Sequence, residues 1–256
     1  MKDLFTLRGK VAVVTGGNGG IGKSIARGLA SVGANIVIAA RNNIKTSESV
    51  REIHEEFDTR VIGIEVDLHQ EKQIHNLVRK TLNTFERIDI LVNNAGINIR
   101  KLPQDYTTAE WDEILNINLR AAFLCSQAVY PIMKTIAAGK IINIGSMTSI
   151  FGGSQVAPYA SSKGGIVQLT RSLAVAWAPD NIQVNAILPG FINTDLTRQL
   201  RKDIPGDEER VINRTPLGRW GEPDDLLGTA IFLSSHASDF ITGVALSVDG
   251  GFSAMI

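Results

Sequence analysis

At 256 residues, 44% of them hydrophobic and 20% charged, the chain has enough apolar side chain for a substantial core, and an α/β sheet domain of this length runs as one unit. Its 26 Lys and Arg against 26 Asp and Glu give a formal net charge of zero, which argues against nucleic acid and anionic membrane as partners. A single cysteine, Cys125, excludes an internal disulfide, and no stretch approaches the roughly 20 apolar residues of a membrane span, so the expectation is one soluble cytoplasmic domain over 1–256.

Val11-Ala12-Val13-Val14 reads as a buried strand that runs straight into Thr15-Gly16-Gly17-Asn18-Gly19-Gly20-Ile21-Gly22. Gly16, Gly20 and Gly22 stand where a strand must turn sharply into a helix, and glycine alone takes positive φ freely and lets a phosphate approach the backbone. The spacing is Thr-Gly-x-x-x-Gly-x-Gly, one residue longer than the commonest dinucleotide fingerprint. Ile21, Ile25, Leu29 and Val32 then keep one helical face apolar until Gly33. Further strands are expected at Ile36 to Ala40, Val61 to Val66, Ile90 to Val92, Lys140 to Gly145, Gln183 to Leu188 and Ala245 to Val248. Helices are expected at Ser47 to Phe57, around Ile74 to Leu82, Trp111 to Met133, Val156 to Trp177 and Asp224 to Ser234. Short branched-apolar runs alternating with helices specify an α/β fold: a Rossmann-type, doubly wound parallel sheet of about seven strands with helices on both faces. The rhythm breaks once, at about 190–216, where Pro, Gly and mixed charge make an excursion of the length typical of a substrate lid.

Chemistry gathers at the carboxyl ends of the strands, where ligands bind in open α/β sheets. Asn93-Asn94-Ala95-Gly96 closes the fourth strand and Ser146 closes the fifth, with Tyr159 and Lys163 following. Tyr159 and Lys163 are four apart on a helix and share a face. The neighbouring ammonium is expected to draw the phenol's acidity toward neutrality and so make Tyr159 a general acid or base. Tyr-x-x-x-Lys alone is a cheap spacing; its weight comes from the serine thirteen residues upstream and the glycine turn. His54, His69, His75 and His236 lack metal-ligand spacing, so no metal is expected. Cys125, Trp111 and Trp177 read as core.

On these residues the chain resembles the short-chain dehydrogenase/reductase family from about Leu7 to Gly251. The matching pieces are Thr15-Gly16-x-x-x-Gly20-x-Gly22, Asp67, Asn93-Asn94-Ala95-Gly96, Asn118, Ser146, Tyr159-x-x-x-Lys163, Pro189-Gly190, Thr194 and Val248-Asp249-Gly250-Gly251. The resemblance implies that Tyr159 exchanges a proton with the substrate oxygen, that Lys163 lowers the pKa of Tyr159 and holds the nicotinamide ribose, and that Ser146 hydrogen-bonds the carbonyl. It also implies that Asn118 holds a water relaying protons to Lys163. Cofactor contacts would come from Gly16, Asn18, Gly20, Ile21, Gly22, Arg41, Asp67, Leu68, Asn94, Ala95, Gly96, Pro189, Gly190, Ile192 and Thr194, as well as Tyr159 and Lys163. A homotetramer is implied too, and Ala230-Ile231-Phe232-Leu233 and the tail from Gly250 to Ile256 are apolar enough to serve it.

The second strand ends Ala39-Ala40-Arg41-Asn42, with no acid to bind a ribose 2′-hydroxyl or repel a 2′-phosphate. Arg41 presents a fork of donors to such a phosphate, which favours NADP; stacking of Arg41 on adenine with NAD bound is the alternative. Asn98-Ile99-Arg100-Lys101, Gly145-Ser146-Met147-Thr148-Ser149, Ala157-Pro158-Tyr159 and Thr215 to Gly221 resemble the gluconate 5-dehydrogenase and 2-deoxygluconate 3-dehydrogenase members. A sugar acid is therefore the expected substrate, with Arg100 opposite its carboxylate and Ser146 and Tyr159 on the reacting oxygen. A 3-ketoacyl thioester, glucose or a steroid are the alternatives, and a non-catalytic dinucleotide-binding scaffold is the rival of another class.

Overall fold

The computed structural model describes residues 4–195, 197–198 and 206–255. Seven parallel strands form one sheet: β1 (Val11–Thr15), β2 (Asn35–Ala40), β3 (Val61–Glu65), β4 (Ile90–Asn93), β5 (Gly139–Ile144), β6 (Ile182–Pro189) and β7 (Ala245–Val248), in the order β3-β2-β1-β4-β5-β6-β7. The strands read as unbroken apolar runs because both faces are covered. Val11 and Val13 enter one core with Leu77, Leu124 and Leu173, whereas Ala12 and Val14 enter the other with Ile25, Leu29 and Leu233. Each fully buried Ile or Leu in these layers contributes about 1.5–3 kcal/mol.

One face carries α1 (Gly20–Ser31), α2 (Asn43–Glu56) and α8 (Leu227–Ser234); the other carries α3 (Glu71–Phe85), α5 (Ala121–Thr135) and α6 (Ala157–Trp177). The sequence starts α2 four residues late, at Ser47. In the structure the Asn42 side chain caps that helix by accepting from the Lys45 N–H at 3.0 Å, so its polar first turn belongs to it.

The single helix expected over Trp111 to Met133 is three pieces: α4 (Thr108–Leu115), a π turn (Asn116–Arg120) and α5. Thr107 and Glu110 start α4 with a reciprocal capping box. Trp111 is 40% exposed on α4, against its expected place in the core, while Trp177 stacks on Tyr130 at 4.7 Å.

The excursion after β6 is pinned at its base, where Ile192 bridges to Gly221. It contains α7 (Asp207–Arg214), which the polar composition concealed; residues 199–205, its middle, lie outside the described residues, as does Ile256 of the apolar tail. Phe252 in that tail is buried against Phe191 and Phe151 of its own chain, and Ala230 and Leu233 are core residues.

Candidate active site

The strand order reverses between β1 and β4, and a crevice opens there above their carboxyl ends. Gly16 and Gly20 take φ of 63° and 48°, the left-handed region that the turn from β1 into α1 requires. Gly22 is needed for a different reason: a Cβ there would stand 2.4 Å from both the Asn94 Nδ2 and the Gly16 carbonyl oxygen. Asn94 binds the turn to the fourth strand, donating from Nδ2 to the Thr15 and Gly16 carbonyls at 3.0 and 3.2 Å. The Thr15 hydroxyl accepts from the N–H of Asn94 and of Ala95.

Asn18 ties the same turn to β2 and α2, donating to the Asn42 carbonyl and the Thr46 hydroxyl. Gly19 caps α1 without any side chain, and no acid lies in the first turn of that helix. Its free N–H groups and positive dipole end are the elements of an anion site, and the flanking glycines leave room for a backbone-hugging phosphate. These residues fit a dinucleotide.

Beside the turn, a cleft of about 340 Å³ brings together Ser146, Tyr159 and Lys163 with Gly16, Gly96 and Gly190. Ser146 follows Gly145 off the end of β5 in extended backbone and caps a short 3₁₀ turn, accepting from the Thr148 N–H at 3.1 Å. Tyr159 and Lys163 project from the first turns of α6, and the Ser146 hydroxyl lies where it favours the ionised form of the Tyr159 phenol. The expected acidification of Tyr159 is reversed in this structure. Burial pushes the phenol up from its ordinary value, outweighing the opposite influence of the Ser146 hydroxyl. The Lys163 ammonium donates to the Ile144 carbonyl at 2.7 Å and lies 5.7 Å from the centroid of the Tyr159 ring, over its face. Burial of that ammonium brings its own pKa down to about 8.

Asn118 sits in the π turn, 2% exposed. Its amide exchanges two hydrogen bonds with the Ile97 backbone, at 2.8 and 2.9 Å, and donates to Ser162. A Cβ on Gly96 would lie 3.2 Å from the Asn118 Oδ1 and 3.6 Å from the Lys163 Nζ, so Gly96 keeps the space between those two groups open.

Asn18, Gly20, Ile21, Asn94, Ala95, Pro189, Ile192 and Thr194 line the same cleft. The remaining expected contacts stand apart from it. Arg41 is exposed just beyond β2. The Asp67 carboxylate is engaged by the backbone and ring of His69 and by Gln70, and Leu68 is packed into the core. Arg100 is exposed on the loop after β4; next to it Lys101 pairs with Glu110 at 2.6 Å. Lys45, Asp195 and Thr197 also line the cleft and were not singled out in the sequence, because no local spacing joins them to the glycine turn. Among the described residues no cluster of His, Cys, Asp or Glu is arranged to hold a metal ion.

Residues 16–253 match the family described as enoyl-(acyl carrier protein) reductase. The chain is 41% identical over 251 residues to the 2-dehydro-3-deoxy-D-gluconate 5-dehydrogenase of Escherichia coli (strain K12), with 98% of each chain covered. It is equally 41% identical over 251 residues to the 5-keto-D-gluconate 5-reductase of the same organism, again over 98% of each. Among solved structures, a gluconate 5-dehydrogenase from Burkholderia cenocepacia J2315 in complex with NADP and tartrate superposes with a TM-score of 0.94 at 39% identity, covering 99% of both chains. With the fold, the glycine turn and the Ser146, Tyr159 and Lys163 cluster in agreement, the chain belongs to the short-chain dehydrogenase/reductase family.

Proposed function

We propose that the protein is an NADP(H)-dependent oxidoreductase that interconverts a secondary alcohol and a ketone at C5 of a six-carbon sugar acid. The observation that carries this reading is the convergence of Ser146, Tyr159 and Lys163 on one cleft with an uncapped helix N-terminus and its glycine turn. The names of the two relatives, both acting at C5 of gluconate-type acids, and the NADP in the solved gluconate 5-dehydrogenase support it. A bound nicotinamide supplies or accepts the hydride.

The residues of the chain supply the rest. The hydroxyls of Ser146 and Tyr159 hold the substrate oxygen, and Tyr159, kept protonated by burial, gives its proton to that oxygen as charge develops on it. The Lys163 ammonium stabilises the phenolate that remains and passes it a proton, and Asn118, across the space kept by Gly96, holds the water that replaces the proton Lys163 has given up. Arg41 takes the 2′-phosphate and Arg100 the substrate carboxylate, each with a bidentate fork. The remaining cofactor contacts are those expected from the sequence, including Asp67 and Leu68 on the adenine side.

The protein acts in the cytoplasm as a homotetramer. Its lone cysteine is buried, and among the described residues no helix is long and apolar enough to cross a membrane.

The test is a panel of gluconate, 5-ketogluconate, 2-dehydro-3-deoxygluconate, 2-deoxygluconate, glucose, an acetoacetyl thioester and a hydroxysteroid, each assayed with NADP(H) and NAD(H) at 340 nm. Turnover is expected with a sugar acid, and Arg100→Ala should raise KM for that acid about tenfold or more, since a hydrogen bond to a charged group is worth about 1.5–3 kcal/mol, while leaving a neutral alcohol unaffected. Turnover confined to the thioester or the steroid would replace the substrate assignment, and no turnover with any member would favour the non-catalytic scaffold.

A further inference from the structure

Lys45 stands in the first turn of α2, its backbone N–H given to the Asn42 side chain. Its ammonium reaches back over the glycine turn and lies 2.8 Å from where a Cβ on Gly19 would be. That places a cation between the turn and the carboxyl end of β2, four residues after Arg41, where an open α/β sheet reads the adenosine ribose. The counter-ion of Lys45 comes from the opposite wall of the cleft. Asp195, in the segment after β6, approaches the ammonium with Oδ2 at 3.4 Å while its Oδ1 accepts from Arg198 at 2.5 Å. The Lys45 and Asp195 side chains are 47% and 71% exposed, so the pair across the mouth is long, hydrated and weak. A phosphate dianion offers the same ammonium twice the charge and three acceptor oxygens.

We propose that Lys45 is a ligand of the cofactor's 2′-phosphate, held by Asp195 until the phosphate displaces that carboxylate, so that cofactor choice is set in part from the substrate-side loop. The proposal rests on the NADP reading above and adds two residues to it. Binding of the 2′-phosphate releases Asp195 from Lys45, which leaves Asp195 with Arg198 alone and frees the cleft mouth at the point where the segment after β6 meets α2.

Dissociation constants for NADPH, NADH and adenosine 2′,5′-bisphosphate, measured by calorimetry on the full chain, test it with Lys45→Met, Asp195→Asn and the double variant. Lys45→Met is expected to weaken NADPH and the bisphosphate about tenfold, the scale of one charge-assisted contact, and to leave NADH within about twofold. Asp195→Asn is expected to tighten NADPH about two- to fivefold, the scale of one exposed ion pair, and this gain should vanish in the double variant.

Equal losses for NADPH and NADH in Lys45→Met would move the ammonium to the diphosphate and overturn the proposal. A gain from Asp195→Asn that survives in the double variant would name Arg198 as the released cation and overturn the role of Asp195. An NADPH preference that is intact in Lys45→Met sinks the proposal and leaves the NADP reading standing. A wild-type protein that binds NADH as tightly as NADPH sinks that reading itself.

Discussion

Tyr159 keeps its proton because the phenolate would be desolvated, and this suits the direction in which a carbonyl oxygen must be protonated. Tyr159→Phe removes the proposed proton donor and keeps the ring, so kcat should fall by about 10²- to 10⁴-fold with the affinity for NADPH unchanged. Stopped-flow turnover together with a binding isotherm separates the two quantities, and activity above about a tenth of wild type would give the proton to another group. Lys163 carries a second, independent signature. Its pKa is about 8 in the fold, below the ordinary lysine value near 10.5, so between those two pH values the unfolded chain binds more protons than the native one. Stability contributed through Lys163 therefore rises with pH across that window. Melting temperatures of wild type and Lys163→Met from pH 7.5 to 10.5 should diverge in favour of wild type; parallel curves would mean that the ammonium is not desolvated. Ser146, Tyr159 and Lys163 were legible in the sequence because a helical spacing and a strand end bring them together locally. Lys45 was not, because its place over Gly19 depends on where α2 begins and on how that helix lies against a turn 26 residues earlier.

His69 joins two elements that the sequence presents as unrelated. Its Nδ1 meets the Asp67 carboxylate at the end of the turn after β3, and its Nε2 meets Glu113 on α4, each at 2.8 Å. Partial burial opposes the charge on His69, yet the two carboxylates prevail and hold its pKa above the ordinary imidazole value, while the Asp67 carboxyl, hydrogen-bonded first by His69, is held below its own. A raised folded pKa gives stability that is complete below the unfolded value near 6.5 and is lost as pH climbs through the folded value. The gap in urea midpoint between wild type and His69→Gln, worth about 1 kcal/mol at pH 6, should therefore close toward pH 9. A gap that is constant across that range would take the imidazolium out of the clamp. Strands were the readable elements here, since burial on two faces leaves an unbroken apolar run, as in Ile36-Val37-Ile38-Ala39. Helix boundaries were not: Asn42 and Thr107 begin their helices with polar caps that composition assigns to loops. The π turn at Asn118 breaks no periodicity that apolar residues record, because the inserted turn is held by an amide reaching the Ile97 backbone.

The apolar surface to which the sequence pointed is open only in part: Met255 of the tail is 47% exposed. Phe252 and Leu233 are spent on the chain's own core, whereas Phe123 and Trp111 are 39% and 40% exposed, and Phe123 borders a groove shared by Leu115, Leu119 and Leu169 of α4, the π turn and α6. Light scattering at micromolar concentration should return about four times 27.7 kDa, and Phe123→Glu should return a smaller species with the same circular dichroism; a monomeric wild-type mass would contradict the tetramer. The seven-strand architecture was readable from alternation alone, but the strand order was not, because pairing β1 with β4 joins segments about 80 residues apart and no local pattern records it. That order also fixes a sequence of events in time. β1 gains β2 early, but its other edge stays bare until Ile90-Leu91-Val92 has been made, and β6 waits in turn for Ala245–Val248. Gly190, in the cleft wall, gives its N–H to the Val248 carbonyl at 3.0 Å. Pairings of such sequence separation form slowly and expose strand edges while they wait. During synthesis or refolding, then, the helices and the β1-to-β3 half should register long before any turnover does, and catalytic competence is the last property the chain acquires.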